Sequence, residues 1–268
     1  MKTKVLKRTI AAVIAFILIG VVLCFANSLV GNPISKMIVN SSAKKYIQQN
    51  YQGMDLQLEK AGYNFKDGTY WVNVKSNTSI DTHFSVDFLW NGKVRYDNYE
   101  NRVLKKGNTL DRLEKEYRKL ADTIFESEDF PYKSDIAFGS ILDIIKSESE
   151  YEKFLDSLEL DKIYDIREIA KENANIVLYV ETEDITVTNM KDIILDVRQI
   201  FDNKNIPFYC IDLVLNTPKV EGEAIKKVNL SIENILYSDI YQEGLEERLK
   251  TAIDDLQKYY EEQDKLYK

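Results

Sequence analysis

Seventeen consecutive residues, Ile10 to Ala26, carry no charge, and Lys2, Lys4, Lys7 and Arg8 stand directly before them. As a helix this run is about 26 Å long, or about 31 Å if it continues through Val30, which suits a hydrocarbon core of about 30 Å. The rest of the chain is therefore expected to fold as a body tied to one membrane helix. A cleaved signal usually has an apolar run of about 7–15 residues, shorter than this one. Cleavage after Ala26 would put Cys24 at the small-residue position, and a lipidated Cys24 would follow the bulky Leu23. Cationic flanks stay in the cytoplasm, and Lys36 is the first cation beyond the run. The expected layout is a cytoplasmic basic tail at 1–9, a transmembrane helix at 10–30, and everything further outside the cell membrane.

Charge then narrows the partners. Four cations precede the run and no acid occurs before Asp55, so with a whole-chain charge of −8 the part beyond carries −12. An acidic body repels nucleic acid, anionic lipid and anionic wall polymer. Of the two cysteines, Cys24 lies in the apolar run and Cys210 stands alone in an expected strand, so no disulfide is expected to staple the outer part. Cys210 reads as a small core residue.

Periodicity predicts two small α+β units, at 31–127 and 133–268, divided at Glu126-Ser127-Glu128-Asp129-Phe130-Pro131. In the first, residues 36–51 read as a helix, with Met37, Ile38, Ala43, Tyr46 and Ile47 near helical spacing. Leu56 alternates with Leu58, and Tyr63 with Phe65, before an Asp67-Gly68 turn. Tyr70, Val72 and Val74, then Phe84, Val86 and Phe88, alternate as the apolar faces of two strands. Asn91-Gly92 marks a hairpin. A three-residue loop, Trp90 to Gly92 with Gly92 left-handed, sets Phe88 opposite Val94, Val86 opposite Tyr96 and Asp87 opposite Arg95. A one-residue slip would move every side chain to the wrong face. Leu110, Leu113, Tyr117, Leu120 and Ile124 predict a helix closing this unit.

In the second unit, Ile136 to Ile144 is apolar but ambiguous between strand and helix. A helix is expected through Ile163, Ile166, Ile169 and Ala170. The uninterrupted run Ile176 to Val180 reads as a strand covered on both faces. A helix capped by Thr188 or Asn189 carries Ile193, Ile194, Val197, Ile200 and Phe201. Tyr209 to Leu215 and Val228 to Ile232 alternate as strands. A final amphipathic helix carries Leu245, Leu249, Ile253, Leu256 and Tyr260.

Gly31-Asn32-Pro33-Ile34-Ser35, Ala43-Lys44-Lys45-Tyr46-Ile47, Tyr63-Asn64-Phe65-Lys66-Asp67-Gly68 and Ser79-Ile80-Asp81-Thr82-His83-Phe84 together resemble the YfjL-like proteins of low-GC Gram-positive bacteria. The resemblance is clearest over residues 31–125. It implies a location and an architecture, and no activity. The first unit is also similar to the cystatin-like or PepSY-like α+β modules found outside the membrane, a likeness of fold, which does not imply function.

Catalytic chemistry finds little footing. His83 is the single histidine, and zinc sites or nucleophilic triads need partners that one His and a distant Cys do not supply. It is expected on the surface, opposite in facing to Phe84. Glu246-Glu247, Asp254-Asp255 and Glu261-Glu262 fall on the polar face of the last helix, where adjacent residues do not share a target. Glu181 with Asp184 lies at a strand end, a better place for chemistry. No calcium loop or phosphate-cradling glycine loop occurs, so no cofactor or metal is expected. Binding residues are expected on the uncovered face of the first sheet: Trp71, Asp87 and Arg95. Trp90 is expected to fold back over the end of its own core; turned outward, it would join a recognition surface.

These readings converge on a membrane-tethered binding protein for an envelope protein or peptide. A carboxylate-using envelope hydrolase or transferase is the enzyme alternative, recognisable by acids converging in one concave pocket. A sensor acting through a membrane partner is the third reading.

Overall fold

The computed structural model describes residues 2–141, 148–218 and 229–266. The chain divides into two compact units, residues 1–109 with 158–161, and residues 110–157 with 162–268.

In the first unit, α1 (Lys2–Val30) ends at Gly31, whose φ of +75° interrupts the helix. Asn32 then caps α2 (Pro33–Asn50): its side chain accepts from the Ile34 N–H at 2.8 Å, and Pro33 occupies the first turn, where its missing N–H costs nothing. The helix thus starts three residues earlier than periodicity suggested. Its buried stripe is Ser35, Val39, Ala43 and Ile47, spaced by four. Met37 and Ile38, expected in the core, are 73% and 39% exposed. The small residues on the stripe allow α2 to lie close to the sheet, and the larger apolar ones are left outside.

That sheet is antiparallel, formed by β1 (Leu56–Leu58), β2 (Gly62–Asn64), β3 (Thr69–Ser76), β4 (His83–Phe88) and β5 (Val94–Asp97). The short β1 and β2 share one edge of β3. Tyr70, Val72, Val74, Phe84, Val86 and Phe88 form its buried face with Val39, Ala43 and Ile47, as alternation predicts. Phe65, expected beside Tyr63 in a strand, follows β2 and is 61% exposed.

The hairpin loop is Trp90 to Gly92, with Gly92 at φ +81° and the Leu89 N–H donating to the Lys93 carbonyl at 2.9 Å. Phe88 faces Val94 as expected. A bulge then intervenes, so that Asp87 faces Tyr96 and Val86 faces Asp97. Arg95 is the extra residue, and its expected place opposite Asp87 is corrected. The cause is legible at Asp97. In the unbulged register its carboxylate would point to the outer face; the bulge turns it to the α2 side. There it accepts hydroxyls from Tyr46 at 2.8 Å and Tyr51 at 2.5 Å, with the Tyr99 N–H at 2.8 Å on its other oxygen. Burial and the bond to Asp97 push the Tyr46 hydroxyl up to about 12, and burial with the same partner raises Tyr51 further.

A buried polar knot closes the unit. Asp81, 1% exposed, accepts from the Thr109 hydroxyl and the Asp161 N–H, each at 2.9 Å, and its own N–H donates to Asp161 Oδ1 at 3.0 Å. Asn108 donates to the carbonyls of Asp81 and His83. These bonds assign 158–161 to the first unit.

The second unit takes most of α3 (Gly107–Phe125), which the sequence reading had placed in the first. The Tyr117 hydroxyl donates to the Pro207 carbonyl at 2.9 Å, and Phe125 packs on Phe201. The sheet order is β6 (Ile136–Ser140), β7 (Asn175–Glu181), β8 (Cys210–Asn216), β9 (Asn229–Leu236), with β7 and β8 parallel and the outer pairs antiparallel. Between them run α4 (Glu148–Ser157), α5 (Ile166–Asn173), α6 (Val187–Asn203) and, at the end, α7 (Leu245–Leu266). The crossover through α6 explains why β7 is rich in apolar residues, although Val177 and Tyr179 are only partly covered. Asp165 caps α5, leaving Ile163 outside it and 79% exposed, and Thr186, rather than Thr188 or Asn189, caps α6. Cys210 is fully buried. On α7, Leu245 and Leu249 are buried but Tyr260 is 52% exposed. The stretch beyond Ile141 through Ile144, and Val228, lie outside the described residues.

Candidate functional site: the outer face of the first sheet

Alternation sends Trp71, Asn73 and Lys75 of β3 away from the α2 core, and antiparallel pairing sets each beside a partner on β4: Trp71 by Asp87, Asn73 by Ser85, Lys75 by His83. Trp71 is half-buried because its indole lies over Gly62 on β2; a Cβ there would run into the ring. Glycine at this position is what lets the large side chain lie flat. Asp87 is flanked on its other side by Tyr96, so the bulge places an aromatic where the sequence reading placed Arg95.

Arg95 instead pairs with Asp67 in the β2–β3 turn, at 2.9 Å. Asp67 also accepts from the Thr69 hydroxyl and N–H, which hold its carboxyl below the usual carboxylate range, with Arg95 adding to the effect. Asp87 is raised, first by burial and then by the charge of Asp67, with Arg95 opposing. The arginine therefore still acts on Asp87 through space.

Trp90 takes no part in this face. It stands at the tip of the hairpin and is 65% exposed, which overturns the expectation that it folds back over the core. The close packing at the loop is made by Gly92, which meets Ile38 and Ser42 of α2 and leaves no room beneath for an indole.

Further along the same face, toward the β3–β4 loop, lies an open cleft of about 740 Å³. Asn73, Lys75, His83 and Ser85 form its floor, Asn77 to Ile80 one wall, with Glu59 at the β3 edge beside Asn73 and Asn98 and Arg102 at the opposite edge beyond Ser85. Asn98 grips Ser85 twice, accepting from its N–H at 2.8 Å and donating to its hydroxyl at 3.1 Å, while Asn73 donates to Glu59 at 3.0 Å. Arg102 comes from a single π-helical turn, Glu100–Leu104, and its Nε donates to Asn108 at 2.8 Å. The floor is thus a row of an amide, a hydroxyl, a lysine and an imidazole, with the Asn98 amide and Arg102 at its edge. Sequence reasoning missed Asn73, Lys75, Ser85, Asn98, Arg102 and Tyr96. Alternation could have given the first three, but not Asn98 or Tyr96, whose placement depends on the bulge. His83 is exposed, as expected.

Acids do gather in one depression of the second unit, of about 450 Å³, where Asp165, Glu168 and Asp202 line the wall. Each is engaged: Asp165 caps α5 through the Arg167 N–H, Glu168 pairs with Lys171 at 2.6 Å, and Asp202 accepts from the Tyr237 hydroxyl at 2.9 Å. Among the described residues no group of three or more His, Cys, Asp or Glu could hold a metal ion.

Two sheet-bearing α+β units and, among the described residues, one helix long and apolar enough to cross a membrane define the class of the molecule. Family models for the YfjL-like N-terminal and C-terminal domains match residues 6–98 and 116–250, and the chain belongs to the YfjL-like family. No curated protein and no solved structure matches it.

Proposed function

We propose that the protein is a single-pass, membrane-anchored binding module whose body lies outside the cell membrane and whose first unit, a cystatin-like or PepSY-like fold, takes a polar segment of an envelope protein or peptide on its open sheet face. The observation that carries this reading is the cleft floored by Asn73, Lys75, His83 and Ser85, with the half-buried Trp71 and Tyr96 continuing the same face. Backbone amides and carbonyls of a peptide need donors and acceptors of fixed geometry, and the Asn98–Ser85 and Asn73–Glu59 bonds hold such groups in place. The anchor part rests on α1, whose most apolar window has a mean hydropathy of 2.9 and is not buried within the molecule, and on the basic residues preceding it. The carboxylate-enzyme alternative has less support, because the acids that share a depression are each held by a cap, an ion pair or a hydroxyl.

The test is site-specific photo-crosslinking in intact cells, with a photoreactive residue at Lys75 and, as a control, at Lys119 in the other unit. A discrete adduct is expected at Lys75 only, lost on Trp71→Ala or Ser85→Arg and weakened by Arg95→Ala. The same adducts at both positions, unchanged by these substitutions, would remove the sheet face as the site.

A further inference from the structure

One end of the first unit is unlike the rest of its surface. The first two turns of α2, the β2–β3 turn and the β4–β5 hairpin tip meet there. Tyr63 faces Tyr70 across the sheet and Phe88 pairs with Tyr70, so both turns leave the sheet at the same end, and Gly92 touches Ile38 and Ser42. Ile34, Met37, Phe65 and Trp90 are between 61% and 73% exposed at this end, with Ile38 at 39%. Exposed apolar side chains are ordinary when scattered and informative when grouped.

This end is also where α1 arrives. A Cβ on Gly31 would fall 2.5 Å from Cγ of Tyr63, the Asn32 N–H donates to the Tyr70 hydroxyl at 2.9 Å, and the Tyr63 hydroxyl donates to the Ser28 carbonyl at 3.3 Å. The exit of the helix is therefore clamped to the sheet end. Ile38 lies about 9 Å along α2 from Asn32 at about 1.5 Å per residue, and the interfacial layer on one side of a bilayer is about 5–10 Å deep.

From this continuity we infer that the end bearing Ile34, Met37, Phe65 and Trp90 is seated in the headgroup layer of the bilayer that α1 crosses, so that the first unit lies on the lipid surface instead of hanging from a free tether. The inference rests on the membrane-anchor reading above. Charge supports the same occupant. Lys36, Lys66 and Lys93 stand among the apolar residues, and of the two nearby acids Asp67 is paired with Arg95 while Asp87 is half-buried beside Trp71. A body carrying −12 thus turns a cationic, apolar end to the headgroup layer. Aromatic side chains such as Trp90 concentrate at headgroup depth, with an apolar ring and a polar N–H.

The test uses the full chain in vesicles of phosphatidylglycerol and phosphatidylethanolamine carrying bromines at graded depths. Trp71→Phe leaves Trp90 as the only tryptophan. Trp90 is expected to emit at short wavelength and to lose about half its emission or more to bromines nearest the headgroups, and less to deep ones, because interfacial indoles sit at that depth. In the second variant, Trp71→Phe and Trp90→Phe remove both and Phe16→Trp places a reporter in the helix; deep bromines should quench it most. If Phe16→Trp is quenched and Trp90 is not, the anchor stands and the docking inference is overturned. Short-wavelength emission from Trp90 without quenching, as from burial in a second copy, overturns it equally. If neither is quenched, the anchor reading fails and takes this inference with it.

Discussion

Replacing Asp81 by Ala tests whether the buried knot holds the first unit together. Its carboxylate is the common acceptor for the Thr109 hydroxyl and the Asp161 N–H at 2.9 Å each, and Thr109 is fully buried. The substitution leaves the buried Thr109 hydroxyl and the partly buried Asp161 N–H without this acceptor, at about 1–3 kcal/mol each, the first near the upper end because its bond is charge-assisted and the second near the lower end because water can reach it. A loss of about 4 kcal/mol is expected. With a urea slope of about 2 kcal/mol/M for a unit of this size, the midpoint should fall by about 2 M. Both tryptophans, Trp71 and Trp90, lie in the first unit, so selectively excited tryptophan emission of the full chain in detergent follows that unit alone. Thr109→Val, which deletes one donor and keeps the shape, should cost less than half as much. The same Asp81→Ala chain should become open to proteolysis near Asp161, whose left-handed backbone at φ +62° is held by these bonds. A midpoint shift below about 0.3 M, within the usual extrapolation error, would mean that water replaces the carboxylate, and the knot would then not be a determinant of the unit.

Two further outcomes follow from the same geometry. Gly31→Ala forces a Cβ against the Tyr63 ring and places a side chain at φ +75°. The backbone part costs about 1 kcal/mol and the ring must also shift, so the first-unit melting temperature should drop by several degrees, with Tyr63→Ala relieving the steric part in a double-mutant comparison. At alkaline pH the Tyr46 hydroxyl titrates near 12 in the folded chain against its ordinary 10.0, so the folded state binds more protons within that window. The contribution is full below pH 10 and is lost as pH rises through the folded value. The urea midpoint should therefore fall above pH 10, and less steeply in Tyr46→Phe/Tyr51→Phe, where the phenols are gone; identical slopes would detach the hydroxyls from Asp97.

Alternation along β3 and β4 was enough to assign the core face of the first sheet, because a half-buried strand has only two sides. It could not reveal the bulge at Arg95. One inserted residue leaves composition and periodicity almost unchanged, and the reason for it, the pair of tyrosine hydroxyls converging on Asp97, comes from α2 and its C-terminal cap, some fifty residues away. The start of α2 was misread for a similar reason. Met37 and Ile38 look like core residues by hydropathy, yet Asn32 and Pro33 set the phase so that Ser35, Val39, Ala43 and Ile47 face inward. The stripe of α3 was read correctly, with Leu113, Tyr117 and Ile124 buried. A stripe states that a face is covered without naming the sheet that covers it, and so α3 was assigned to the wrong unit. Trp90 failed differently: average burial of tryptophan argued inward, while the packing of Gly92 on α2 fills the space it would need.

The segments that carry the family resemblance do structural work in this chain. Gly31 to Ser35 makes the helix exit, its cap and the first core residue of α2. Tyr63 to Gly68 supplies the ring against Gly31 and the turn in which Asp67 accepts from Thr69. Ser79 to Phe84 builds the knot around Asp81, with Ser79 also donating to Asp161. Substitutions at Asn32, Ser35, Tyr63, Asp67, Ser79, Asp81 and Phe84 are felt by the fold, because these side chains are at least half-buried or hold a backbone turn, whereas Ile34, Phe65, Ile80 and His83 of the same segments are exposed. Asn73, Lys75, Ser85 and Asn98 lie outside those segments on an exposed face, and their replacement leaves the core on the far side of the sheet intact. Those segments therefore fix much of the architecture, while the open face is completed by outward-facing positions beyond them, Asn73, Lys75, Ser85 and Asn98, beside Ser79, Ile80 and His83 from within them.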